Sequence, residues 1–107
     1  MDMEKVVFHL MTHSRDAKNA SMESIKHARK GDYEKAYLCI RKATESLSEA
    51  HKIQFELMER ESKGTKTEIS LLMVHAQDSL VNAVTIRDMA QEMVKIYTDM
   101  RHILANG

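Results

Sequence analysis

Small and apolar side chains recur at alternating steps of three and four along almost the whole chain. The first row runs Met3, Val7, Leu10, Ser14, Ala17, Ser21, Ser24 and Ala28. The second runs Ala36, Ile40, Ala43, Leu47, Ala50, Gln54 and Leu57. The third runs Ile69, Met73, Ala76, Leu80, Ala83, Arg87, Ala90, Val94 and Tyr97. A mean period of about 3.5 residues is what helices meeting along a left-handed seam require. Two breaks divide the rows. In KGDY, residues 30–33, Gly31 suits the left-handed position after a helix and Asp32 the N-cap of the next. In ESKGTKTE, residues 61–68, Gly64 again suits a helix end, and Thr65 with Glu68 has the T-x-x-E spacing of a capping box. The pattern predicts helices near residues 3–30, 33–61 and 66–105, all within one domain spanning 1–107. Loops this short make sequential helices antiparallel neighbours, so the expected fold is all-α, an up-down-up three-helix bundle.

The third helix is more apolar than one seam needs. Leu71, Val74, Val81, Ile86, Met89, Met93 and Ile96 form a second face. A helix apolar most of the way round is buried on more than one side, and a three-helix monomer cannot cover both. Self-association through this helix is therefore expected, because so large an open strip would aggregate. His75, Asp78, Asn82 and Met89 follow steps of three, four and seven and share one stripe within that face. On a symmetric interface Asp78 meets its own copies, and carboxylates forced together raise each other's pKa or recruit a cation. Asp78 is thus a candidate metal or proton site on a symmetry axis. By position alone, His75 reads either as a hydrogen-bonded interface histidine or as a reactive group.

Composition narrows the classes. The 107 residues include no Pro, three Gly, no Trp and nine Met, which favours long helices over sheets. Sixteen basic residues balance sixteen acidic ones, which argues against nucleic acid as a partner. The single cysteine, Cys39, excludes an internal disulfide framework and fits a reducing compartment. The N-terminal MDMEKVVFHLMTHSRD lacks the basic and apolar regions of a signal peptide. No run approaches the roughly 18 apolar residues of a membrane span. A cytoplasmic protein is expected.

The segment SLLMVHAQDSL, residues 70–80, resembles the active-site segment of the lactose/cellobiose-type enzyme IIA family of the bacterial sugar phosphotransferase system, where it usually reads like HAQDHL or HGQDHL. GDYEKA resembles that family's GDF-x-x-A turn, SEAHKIQ (residues 48–54) its EAH-x-x-Q stretch, and DAK (residues 16–18) its DAR or QAR. The likeness covers nearly the whole chain in order. It implies a three-helix subunit in a parallel homotrimer of nine helices. It also implies a phosphocarrier, which takes a phosphoryl group from the phosphohistidine of HPr and passes it to a cysteine of enzyme IIB. The membrane-embedded enzyme IIC then delivers a β-linked disaccharide or β-glucoside for phosphorylation. Carried over by position, His75 matches the phosphorylated nucleophile and Asp78 the aspartate that meets its copies around a metal ion on the three-fold axis. Gln77 matches a supporting residue of the same site. A divalent ion with oxygen ligands, Mg²⁺, is the expected type.

The sequence departs from this pattern at Ser79, where the family has a second histidine, and at Phe55 and Arg15. Serine offers one hydrogen bond but no positive charge. A non-catalytic helical regulator or adaptor descended from the family is therefore the alternative reading. Among the remaining candidates, His9 and His13 have the i,i+4 spacing of a metal pair but lack the Glu of H-E-x-x-H, and they read as a solvated face. His51 is expected to pack in the bundle in support of the site, and His27 and His102 to lie on the surface. Cys39 has no neighbour that would activate it. Met89, Met93 and Met100 fit either interface filling or an adaptable partner patch.

Overall fold

The computed structural model describes residues 2–66 and 69–106. They form α1 (Met3–Arg29), α2 (Tyr33–Ser62) and α3 (Leu71–Asn106), with no strand among the described residues. The molecule measures 61 × 20 × 18 Å, so the length of the helices sets its length.

The helix ends follow from local chemistry. Asp2 caps α1 by accepting from the Glu4 N–H at 3.0 Å, and Asp32 caps α2 by accepting from the Lys35 N–H at 3.2 Å. Gly31 (φ 86°) and Gly64 (φ 91°) take the left-handed conformation that closes a helix. At both ends the next residue reaches back five positions, Asp32 N–H to the His27 carbonyl at 2.9 Å and Thr65 N–H to the Arg60 carbonyl at 3.0 Å.

The third helix begins later than the sequence suggests. Thr65 finishes α2 instead of opening α3, and the Glu68 half of the expected capping box lies outside the described residues. Ser70 is the cap: its hydroxyl oxygen accepts from the Met73 N–H at 3.1 Å, so α3 starts at Leu71 and not near 66. Ile69, expected in the seam, precedes the helix and is 79% exposed.

The three rows otherwise form the core. Leu10, Ala17, Leu47, Ala50, Leu80 and Ala83 are buried in one cluster, and Ala28, Ala36, Ile40, Ala90 and Val94 in a second. Polar side chains lie on the same seams. Ser21 and Ser24 are buried and donate to carbonyls of their own helix at 2.7 and 2.6 Å. Small, internally satisfied side chains let the helices approach closely. Three hydrogen bonds tie α2 to α3. Tyr33 Oη donates to the Tyr97 carbonyl at 3.4 Å, Arg87 Nη1 donates to Thr44 Oγ1 at 3.0 Å, and Gln54 donates to Gln77. Residue numbers rise along α2 as they fall along α3.

The second apolar face of α3 is uncovered. Leu71 is 87% exposed, Val81 61%, Met89 62% and Ile96 55%. Ile86 is the exception, half-buried in a groove against α1. No helix of the described residues is long and apolar enough to cross a membrane.

Leu80→Ala should destabilise the fold by about 2–5 kcal/mol, the usual cost of truncating a buried leucine. Val81→Ala, on the open face of the same helix, should cost an isolated subunit well under that. Urea unfolding of both variants at matched protein concentration checks the contrast.

Candidate functional site

Helix α3 presents the HAQD residues in different directions. Met73, Ala76 and Leu80 point into the core. At roughly 3.6 residues per turn, His75 and Asp78 then fall on the outward side, and both are exposed. Gln77 stands about 200° round the helix from His75 and is half-buried against α2. His75 and Asp78 thus share an open stripe, flanked by the exposed apolar Leu71, Val74 and Val81. Gln77 does not join them.

Gln77 belongs instead to a chain of hydrogen bonds that the sequence reading missed. His51 Nδ1 lies 3.2 Å from Gln54 Oε1. With the Gln54 oxygen as the acceptor, the Nδ1 position is the donor. Gln54 Nε2 donates in turn to Gln77 Oε1, and Gln77 Nε2 points at Met73 Sδ, 4.0 Å away. In this arrangement each amide oxygen faces a donor. The signal was present as H-x-x-Q in SEAHKIQ, an i,i+3 pair on one face of α2. His51 is exposed and holds Gln54, and does not pack in the bundle as expected.

Ser79, the departure beside the nucleophile candidate, is tied to its own helix. Its Oγ donates to the His75 carbonyl at 2.9 Å. The hydroxyl's one proton is therefore engaged by the backbone, and only lone pairs remain to face outward.

Two open grooves flank the stripe. One, of about 560 Å³, runs between α1 and α3 and is lined by Phe8, Met11, Arg15 and Lys18 opposite Ser79 and Asn82. The other, of about 430 Å³, runs between α2 and α3 and is lined by Gln54, Met58 and Glu61 opposite Val74, Gln77 and Asp78. The two grooves lie on opposite sides of the ridge that carries His75.

The remaining candidates stand apart. The rings of His9 and His13 stack at 6.3 Å between centroids on α1. No group of three or more His, Cys, Asp or Glu side chains gathers as a metal cage among the described residues. Burial pushes the Cys39 thiol above its ordinary range, with Lys42 pulling it down and Glu23 raising it. That leaves it little thiolate character near neutral pH. His27 is half-buried and His102 exposed.

The profile of the family described as "PTS system, Lactose/Cellobiose specific IIA subunit" matches residues 5–98. The lichenan-specific phosphotransferase enzyme IIA component of Bacillus subtilis (strain 168) is 45% identical over 96 residues, 90% of this chain and 87% of that protein. The crystal structure of the cellobiose-specific enzyme IIA of Bacillus anthracis superposes with a TM-score of 0.91 at 37% identity, over 95% of this chain and 94% of that one. The IIA(chitobiose) chain, solved in complex with HPr from the N,N'-diacetylchitobiose branch of the Escherichia coli phosphotransferase system, gives a TM-score of 0.81 at 28% identity, over 94% and 98% of the two chains.

Replacing Gln54 by Leu should strand the Gln77 carbonyl oxygen and cost about 1 kcal/mol, the low end for an unpaired buried group because water still reaches the open groove. Replacing both glutamines by Leu should cost less than the sum of the single changes. A double-mutant cycle in urea measures this, with additive costs as the contrary outcome.

Proposed function

The chain belongs to the lactose/cellobiose-specific IIA subunit family of the sugar phosphotransferase system, and we propose that it is a phosphocarrier whose nucleophile is His75. One observation carries the assignment. Among the HAQD residues, His75 alone combines a nucleophilic ring with an exposed position, on the outward face of a rigid helix. Its ring makes no hydrogen bond to another of the described residues, so a ring nitrogen lone pair is available to attack phosphorus.

The step is an exchange between two imidazoles. HPr is the donor, by analogy with the complex formed by the chitobiose relative. The P–N bond to the donor ring breaks, and its electron pair stays on that ring. A new P–N bond forms at the unprotonated nitrogen of His75, whose other ring nitrogen keeps its hydrogen. Little covalent chemistry is asked of the protein, so positioning and charge stabilisation dominate. In the second half the phosphoryl group leaves His75 for a cysteine of enzyme IIB, and enzyme IIC couples the relay to sugar uptake at the membrane. A cytoplasmic location follows from those partners. Relatives named for cellobiose and lactose support a β-linked disaccharide or β-glucoside as the transported sugar.

Assembly completes the reading. The uncovered face of α3 is the surface on which three up-down-up subunits meet in parallel, a nine-helix homotrimer. Cross-helix contacts whose numbering runs in opposite directions on α2 and α3 support the subunit's up-down-up order. In the trimer the Asp78 carboxylates converge on the axis. Each chain brings one Asp78 carboxylate, so three copies together offer a set of hard oxygen ligands suited to Mg²⁺. The ion's role there is to neutralise charge that would otherwise push the subunits apart. Gln77, positioned by His51 and Gln54 at the α2–α3 groove, supports the site from beside it and does not touch the His75 of its own subunit. A regulator without phosphoryl acceptance would leave the exposed His75 without a task.

His75→Ala should lose all phosphoryl acceptance from phospho-HPr while keeping its helical content. Intact mass after incubation with phosphoenolpyruvate, enzyme I and HPr reads the added group directly, and full labelling of the variant would refute the assignment. Asp78→Leu should keep the oligomer or tighten it, because apolar packing replaces axial repulsion. Dissociation to monomers on size-exclusion chromatography would show that the cation is essential.

A further inference from the structure

A phosphoryl group brings roughly −1.5 to −2 charges to His75, and the immediate neighbours on α3 do little to offset them. Asp78 offers a carboxylate that the axial cation would take up, and no cation of its own. The hydroxyl proton of Ser79 is donated to the His75 carbonyl. Gln77 faces the opposite groove with its carbonyl bonded to Gln54. From Leu71 to Ile86 the helix carries no lysine or arginine. The positive charge has to come from elsewhere.

The α1–α3 groove, which begins one helical turn from His75, carries positive charge. Arg15 and Lys18 line its α1 wall, and Ser79 and Asn82 line the wall opposite. Side chains on a helix lean toward its N-terminus, so Arg15 reaches back toward Met11 and Thr12, which line the groove with Ser79. Ser79 in turn is one helical turn from His75. The competing carboxylate near Arg15 is that of Asp16, with Nε and Oδ1 3.9 Å apart and the two side chains 68% and 52% exposed. An exposed contact that long holds the guanidinium weakly, leaving its positive charge free for an anion.

We propose that Arg15, across the α1–α3 groove from Ser79, supplies the cationic contact for the phosphoryl group in transit to His75. Lys18, one turn further from the histidine, adds to the field without direct contact. This rests on the phosphocarrier reading above. Arg15 is then a charge-stabilising residue for transfer, and the bonds made and broken are those between phosphorus and the two imidazoles.

The test is the single-turnover rate of phosphoryl transfer from purified phospho-HPr to wild type, Arg15→Gln and Arg15→Lys, followed by intact mass across a range of donor concentrations. Circular dichroism confirms equal helical content. The expected result is a roughly ten- to hundredfold slower limiting rate in Arg15→Gln, at or below the low end of the hundred- to thousandfold cost of losing one preorganised transition-state donor, because Arg15 is exposed. Arg15→Lys should recover most of it. Equal limiting rates in wild type and Arg15→Gln overturn the role of Arg15 while leaving His75 as nucleophile. So does a change confined to the donor concentration for half-maximal rate, which marks a docking contact. Equal losses in both variants deny a role for charge. Failure of the wild type to accept any phosphoryl group overturns the phosphocarrier reading and this proposal with it.

Discussion

The constraint behind the whole arrangement is the two-sidedness of α3. Met73, Ala76, Leu80, Ala83, Ala90 and Val94 are buried against the other helices, while Leu71, Val81, Met89, Ile96 and Ile103 on the same helix are each more than half exposed. At about 25 cal/mol per Å², leaving such side chains in water forgoes stabilisation that a partner surface would restore. Helices α1 and α2 pack on one side of α3 and cannot reach the other. The outward face therefore determines what α3 is for beyond the bundle.

Chemistry is placed on that outward face with little rotation to spare. His75 and Asp78 share its stripe, and a shift of two residues puts Gln77 on the far side of the helix, where α2 holds it. One tetrapeptide thus serves two surfaces: an open one, on which we propose phosphoryl transfer and assembly, and a half-buried one that fastens α3 to α2. The hydrogen bonds from His51 through Gln54 to Gln77 give a physical reason for SEAHKIQ and HAQD to occur together. Each supplies half of one polar contact across the seam.

Much of this was legible in the sequence. The rows of small and apolar residues gave the three helices, and the excess of apolar residues on the third marked its uncovered face. Gly31 and Asp32 gave the first turn, because each is the residue its conformation demands. The start of α3 was not legible in the same way. Thr65 with Glu68 has the spacing of a capping box, but Thr65 was already engaged in closing α2, and Ser70 capped α3 instead. Spacing alone could not tell which of two competent caps the chain uses. Nor could it show that Gln77 faces α2 or that Ser79 bonds to its own helix, since both depend on where neighbouring groups lie.

The central claim is that the outer face of α3 is an assembly surface carrying the phosphoryl-accepting histidine to the edge of a symmetric interface. Native mass spectrometry of the unmodified protein tests it most directly. One dominant species is expected at three times the mass of the 12.3 kDa chain, with any bound divalent cation present once per three chains. A monomer that persists at high protein concentration, with Leu71, Val81 and Met89 left in water, would contradict it.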